Sequence, residues 1–340
     1  MTRQPRTRPT LEEVASAAGV GRGTASRVIN GSAKVSDRAR QAVESAIAEL
    51  GYVPNRAART LVTQRTDAVA LVIAESEERV FGEPFFAGVV RGVGIALSEA
   101  GLQLVLLLAH TAQRHGRLDD YLTRQHVDGA LLLSLHDDDA LPERIRERGL
   151  PVVLGGRATE DQQGVYVDVD NALGARLAVD HLVHRGRRRI AAIAGPADMV
   201  VGRTRHDGYL AGLRAAGLES DDALVVRGDF SQASGESGMR VLLSRRPDLD
   251  AVFCANDLMA AGALRVLREA GREVPRDVSV VGFDDAPLAQ STHPPLTTVH
   301  QSPEQMGREM VALLLENMRH PDEPPQPRLL ETRLVVRESS

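Results

Sequence analysis

The sequence has no tryptophan and a single cysteine, Cys254. One cysteine excludes an intrachain disulfide and a thiolate metal cluster, and it reads as a small buried apolar residue. No apolar run approaches the ~18 residues that a membrane-spanning helix needs. The opening MTRQPRTRPT runs into charged residues instead of the apolar core of a signal peptide, so the chain is expected to be cytoplasmic, with no membrane partner. Lysine is nearly missing: of 41 basic residues only Lys34 is one, which reads as a coding bias. Also absent are a G-x-S-x-G elbow, a C-x-x-C pair and a phosphate-binding P-loop. Gly92-x-Gly94 falls inside a helical pattern and makes no dinucleotide fingerprint. His181 and His184 share a helix face but lack a third ligand. No catalytic residue, metal or cofactor is expected.

What is present is a chain of 340 residues, long enough for two or three domains at roughly 100 to 200 residues each. Its net charge of −5 conceals an asymmetry: residues 1–65 carry 11 Arg and Lys against 5 Asp and Glu, a charge of +6, so the remainder carries −11. A small basic module sits on a large acidic body. The first attracts polyanions, and the second argues against indiscriminate coating of nucleic acid.

In the basic module, Thr10-Leu-Glu-Glu13 is a capping box that opens a helix with Leu11, Val14, Ala15 and Ala18 on one face. Gly19 ends it. A second helix runs to about Ile29, and Asn30-Gly31 stops it; Ser36 caps a third, with Ala39, Val43, Ala46, Ile47 and Leu50 as its buried stripe. Three short helices, the first two joined by a glycine turn, make a helix-turn-helix. The second helix starts GRGTASR, weak in helix formers but suited to a major groove. Gly21 and Gly23 clear space for backbone approach, Arg22 can reach a guanine edge, Thr24 and Ser26 suit phosphates, and Arg27 suits either.

The run TLEEVASAAGVGRGTASRVINGSAKVSDRARQAVESAIAELGYVPNRAARTL, residues 10–61, resembles the DNA-binding head of the LacI/GalR (lactose-repressor) family. Gly21 and Ala25 depart from the Ser and Val frequent there. The resemblance implies DNA contacts from Thr10, Gly21, Arg22, Gly23, Thr24, Ser26, Arg27, Asn30, Ser36 and Tyr52. It also implies a hinge helix after Pro54, too short to stand alone. In that helix Asn55, Arg56 and Ala58 would meet DNA, and Leu61 would wedge between base steps of the minor groove.

From Asp67 onward, strand-length apolar runs (AVALVIA, LQLVLLLA, GALLLSL, RIAAIAG, AVFCAND, VSVVGFDD) alternate with amphipathic helical segments. This pattern predicts two parallel α/β units with a ligand between them at the strand ends. It resembles the periplasmic-binding-protein-like core of the same family. By that likeness the head covers 1–53, hinge and linker 54–66, one lobe 67–168 plus 297–324, and the other 169–296 plus 325–340.

Carboxylate, amide and guanidinium groups that can bind vicinal hydroxyls fall at the predicted strand ends. Arg205, Asn256 and Asp284 stand there, and without tryptophan the stacking faces are Phe230, Phe85 and Phe86. The resemblance matches Arg205, Phe230, Asn256 and Asp284 to effector-contacting positions and adds Gln301. Where the family often has an Asp this chain has Gly156, which makes Arg157 a substitute contact. The chain is similar to family members that control cellobiose and cello-oligosaccharide use. The expectation is a repressor that leaves a near-palindromic operator DNA when a cellobiose-like sugar effector binds between the lobes. The family's tetramers use an added C-terminal heptad segment, and this sequence stops at LVVRESS, so a homodimer is expected. Two alternatives stand: a co-repressor sign for the ligand, and a sugar-binding protein or sugar dehydrogenase with a non-functional head.

Overall fold

The computed structural model describes residues 9–29, 34–53, 65–109, 118, 121–123, 126–137, 139–157, 159 and 164–340. The chain divides into two compact units, residues 1–66 and 67–340. The first holds α1 (Leu11–Ala17), α2 (Arg22–Ile29) and α3 (Asp37–Leu50). The capping box closes in both directions: the Thr10 hydroxyl accepts from the Glu13 amide at 3.3 Å, and the Glu13 carboxylate accepts from the Thr10 amide at 2.7 Å. Gly19, at φ +64°, turns the chain between α1 and α2, a conformation that costs glycine little. Ser36 caps α3 and Gly51 ends it in the left-handed region.

Val14, Ala15, Ala25, Val28, Val43 and Ala46 form the core of this unit. Leu50, expected in the buried stripe, is instead 37% exposed, because it is the last helical residue before the Gly51 reversal. The hinge helix and its Asn55, Arg56, Ala58 and Leu61, together with Asn30, lie outside the described residues.

Among the described residues the second unit contains two six-stranded sheets. The first comprises β1 (Ala68–Ile73), β2 (Gln103–Leu108), β3 (Gly129–Leu133), β4 (Val152–Gly155), β5 (Tyr166–Val169) and β11 (Arg328–Leu330). Their order is β11-β5-β4-β3-β1-β2, all parallel. The second comprises β6 (Ile190–Ala194), β7 (Val225–Arg227), β8 (Ala251–Cys254), β9 (Ser279–Asp284), β10 (Thr297–His300) and β12 (Arg333–Val335). Their order is β12-β10-β9-β8-β6-β7, with only β12 antiparallel to its neighbour. The central strands β1 and β3 are buried along their whole length, as expected of parallel strands covered by helices on both faces. Edge strand β2 is half exposed.

The lobe boundaries differ from the expected ones at two crossings. Strand β10 belongs to the second lobe, where Thr298 pairs with Gly282 of β9, so the chain crosses at about Gln301 and not at 297. Strand β11 belongs to the first lobe, where Leu329 pairs with Asp168 of β5, so the last crossing follows Leu330 and not 324. In both cases a short strand completes its ladder before the chain leaves the lobe, so backbone pairing places the exit later than the family likeness implied.

Two helices of the first lobe touch backbone to backbone. A Cβ added at Gly92, in α5 (Pro84–Glu99), would lie 2.0 Å from the Glu304 carbonyl oxygen of α11 (Pro303–Arg319). The reason for glycine in VRGVG is therefore helix packing. Among the described residues no helix is long and apolar enough to cross a membrane, and no group of three or more His, Cys, Asp or Glu is placed to hold a metal ion. His181 and His184 instead bond to the Ser340 hydroxyl at 2.8 Å and the Asp180 carbonyl at 2.6 Å.

Candidate functional site

The C-terminal ends of strands from both lobes border one cleft, lined among others by Arg79, Phe86, Arg205, Phe230 and Asp284, the position at which open parallel sheets bind small molecules. Its most connected feature is the Arg205 guanidinium, carried by α8 (Val200–Ala215) and almost wholly buried. Nε donates to Asn171 Oδ1 at 2.9 Å; Nη1 donates to the Ala255 carbonyl at 2.5 Å and to Asp284 Oδ1 at 3.3 Å. The guanidinium carbon stands 3.6 Å from the centre of the Phe283 ring. Gln301 Nε2 donates to the same Asp284 oxygen at 2.6 Å.

The network extends to the first lobe. Asn171 Nδ2 donates to Asp168 Oδ1 at 3.0 Å, and Arg157 Nε donates to Asp168 Oδ2 at 3.0 Å. Burial pushes the Asp168 and Asp284 carboxyls up and the Arg205 guanidinium down; the Val169 amide and Arg157 oppose the shift at Asp168, and the Arg205–Asp284 pair opposes the other two. Asp168, Asn171 and Gln301 flank two of the three lobe crossings, so a ligand held here touches the segments about which the lobes would turn.

Two residues of the wall adopt backbone conformations that non-glycine residues rarely tolerate: Phe230 at φ +69° and Asp284 at φ +113°. Such strain persists only where neighbours enforce it, and it concentrates at functional sites. Asn256 supplies part of the enforcement by donating Nδ2 to the Phe230 carbonyl at 2.8 Å. Its Oδ1 accepts from the Met259 amide at 2.9 Å and caps α10 (Asp257–Glu269). The amide of Asn256 is thus committed on both sides, and its clearest structural role is to position Phe230.

A second polar cluster lines the first-lobe side. Arg79, from α4 (Glu77–Gly82), donates to Glu83 Oε1 at 2.5 Å and pairs with Glu75. Its guanidinium carbon lies 5.8 Å from the Phe86 ring centre and 5.1 Å from that of Phe230, so it reaches from one lobe to an aromatic face of the other. Burial raises the Glu83 carboxyl to about 7 even beside Arg79. At the mouth, His136 Nδ1 meets Asp198 Oδ2 at 2.7 Å, Arg203 meets Asp137 at 2.7 Å, and the Asp137 amide donates to the Asp198 carbonyl at 2.9 Å. These contacts join the lobes directly.

Hydrogen bonding to Glu75, supported by Asp198, lifts His136 from its ordinary value of 6.5 to about 9. Most of that rise comes from Glu75 on the same lobe, so only the smaller share supplied by Asp198 bears on the contact between lobes; that share is present below the ordinary histidine range and is lost as pH rises through about 9. Small-angle scattering is expected to show the lobes loosening as pH rises from about 6.5 through about 9. His136→Gln is expected to remove that pH dependence.

All eight residues proposed from sequence for the effector border this one cleft: Arg157, Arg205, Asn256, Asp284 and Gln301 as its polar part, Phe85, Phe86 and Phe230 as its aromatic part. Phe86 is only 1% exposed and belongs equally to the core of the first lobe, packing edge-on against Phe85. Sequence reasoning missed Glu75, Arg79, Glu83, Asp168, Asn171 and His136. Their signal was available: polar residues within three positions of the C-terminal ends of β1, β3 and β5, with Glu75, Arg79 and Glu83 at i, i+4 spacing.

In the first unit, Gly21, Arg22, Gly23 and Arg27 lie exposed in α2 and the turn before it, while Thr24 and Ser26 are half-buried. Arg22 pairs with Glu12 at 2.9 Å, and Arg27 Nε donates to the Gly23 carbonyl at 3.1 Å. The Thr10 and Ser36 hydroxyls cap helices, and Tyr52 packs half-buried against the three-helix core.

Residues 10–55 match the model for bacterial regulatory proteins of the lacI family, and residues 179–340 match that for a periplasmic binding protein-like domain. The chain is 57% identical over 336 residues to the HTH-type transcriptional regulator CelR of Thermobifida fusca, covering 98% of this chain and 99% of the relative. A solved transcriptional regulator CelR–cellobiose complex superposes with a TM-score of 0.79 at 55% identity, covering 98% of this chain and 100% of that one. The lac repressor dimer bound to operator and the anti-inducer ONPF superposes with a TM-score of 0.85 at 29% identity, over 98% and 99% of the two chains.

Proposed function

Because the chain belongs to the LacI family of bacterial regulatory proteins, and so is a sugar-responsive transcriptional regulator and not an enzyme, we propose that it represses sugar-utilisation genes and is induced by cellobiose or a related oligosaccharide. It works in the cytoplasm, on the nucleoid, as a homodimer whose two heads occupy the halves of a near-palindromic operator. The sugar enters the interlobe cleft, changes the angle between the lobes and weakens the grip on DNA. By linkage, operator must weaken sugar binding by the same factor.

The observation that carries this reading is the Arg205–Asp284–Gln301 network, with Asp168 and Asn171 beside it. It presents paired donors and acceptors suited to vicinal hydroxyls at the segments that connect the lobes. The similarity to a regulator solved with cellobiose supports the effector class. The lac repressor dimer on its operator supports the assembly.

The test is fluorescence anisotropy on a palindromic operator library at fixed salt, with cellobiose, cellotriose, maltose, xylobiose and glucose each added. Release by cellobiose or cellotriose is the expected result. Tighter binding with sugar would reverse the sign to co-repression, and indifference to every sugar would discard the effector class. Failure to select any operator would return the chain to a sugar-binding or sugar-processing role.

A further inference from the structure

The cleft has two polar ends. One is the Arg205–Asp284 network; the other is Arg79 with Glu75 and Glu83. No hydrogen bond joins the two clusters, yet each feels the other's charge: Asp284 raises Glu83, and Arg79 lowers Asp284. They are therefore separate recognition points on one cavity. We propose that Arg79 and Glu83 form a second sugar subsite, which makes the pocket selective for a disaccharide over a monosaccharide. This rests on the reading of the cleft as a sugar site.

The side chains of Arg79 and Glu83 are largely withdrawn from solvent, 17% and 11% exposed, and both border the cavity. Arg79 uses Nε for Glu83 and Nη1 for Glu75, which leaves Nη2 as a donor toward the cavity. Glu83 accepts from Arg79 through Oε1, which leaves Oε2 as an acceptor beside that donor. A donor and an acceptor side by side match two neighbouring hydroxyls of a pyranose ring. The half-buried Phe85 ring, which also borders the cavity, supplies the apolar wall that such a ring also needs. Glu75, bonded by Ser134 at 2.6 Å and by Arg79, fixes Arg79 in place and acts as a positioning residue.

The decisive measurement is calorimetric titration of the full chain with cellobiose and with cellobioses lacking single hydroxyls on either ring. It would be made on the wild type, Glu83→Gln and Arg79→Lys. Glu83→Gln keeps the shape without the charge, and Arg79→Lys keeps the charge without the fork. Each variant is expected to bind cellobiose at least 10-fold more weakly than the wild type. Removing hydroxyls from one ring should weaken the wild type but cost the variants little more; removing those of the other ring should weaken all three proteins alike.

Coupling spread equally over both rings, or absent from both, would overturn the subsite, with thermal unfolding showing whether the variants remain folded. A wild type that binds cellobiose with Arg79 and Glu83 uncoupled leaves the sugar reading standing and removes only the subsite. A wild type that does not bind cellobiose removes both.

Discussion

Asp284→Ala is expected to leave operator binding intact and abolish release by sugar, with effector affinity falling at least about 100-fold, or ~3 kcal/mol. The carboxylate is the shared acceptor of Arg205 and Gln301, and truncating one partner of a buried, hydrogen-bonded charge pair typically costs about 2–5 kcal/mol. Leaving the Arg205 guanidinium without its anion in a buried site is a further cost, borne by the fold with or without sugar, so thermal unfolding is measured beside affinity. Alanine adds a second burden, because the backbone there stands at φ +113°, where Asn and Asp are tolerated better than other non-glycine residues.

Asp284→Asn separates these effects. It keeps the size and the positive φ, removes the charge, and should weaken effector binding by about 10–30-fold, near 1.4–2 kcal/mol. Calorimetry with cellobiose and anisotropy on operator DNA measure the two sides independently. If both variants still release DNA at wild-type sugar concentrations, Asp284 does not belong to the site.

The parts of the molecule legible from sequence were those governed by local chemistry. The Thr10–Glu13 capping box, the Gly19 turn and the Gly51 stop each involve residues a few positions apart. The apolar runs of β1 and β3 announce strands buried on both faces. Arg205, Asn256 and Asp284 could be picked out because polar groups at predicted strand ends are conspicuous, although both committed bonds of Asn256 became visible only in the fold.

The lobe crossings were not legible, because a four-residue run such as Thr297–His300 can complete either sheet, and only its pairing with β9 decides. Arg79 was missed for a related reason. Glu-Arg-Glu at i, i+4 spacing reads as a solvated helix face, and only tertiary structure turns that face toward Phe86 and Phe230.

Arg22→Ala is expected to weaken binding to the preferred operator by roughly 1–3 kcal/mol per half-site and to relax base preference at one position. Arg22 begins α2 behind Gly21, and its side chain is 72% exposed and paired with Glu12, itself 60% exposed. A surface pair of this kind is worth at most about 1 kcal/mol. DNA can therefore draw the guanidinium away from Glu12 at small cost, and a guanine offers it two parallel hydrogen bonds in return. Across two half-sites of a dimer the loss reaches roughly 2–6 kcal/mol.

Glu12→Gln provides the internal control. Freeing Arg22 from its partner while removing a negative charge from the DNA-facing unit should strengthen operator binding slightly and leave base preference unchanged. Operator selection at fixed salt, followed by a salt titration, distinguishes the roles. A base reader loses preference at one position, whereas a phosphate contact loses affinity equally on every sequence and shallows the salt slope by about one. Equal loss on every sequence would make Arg22 a backbone contact and move base reading to Arg27, whose Nε is tied to the Gly23 carbonyl and would have to be released first.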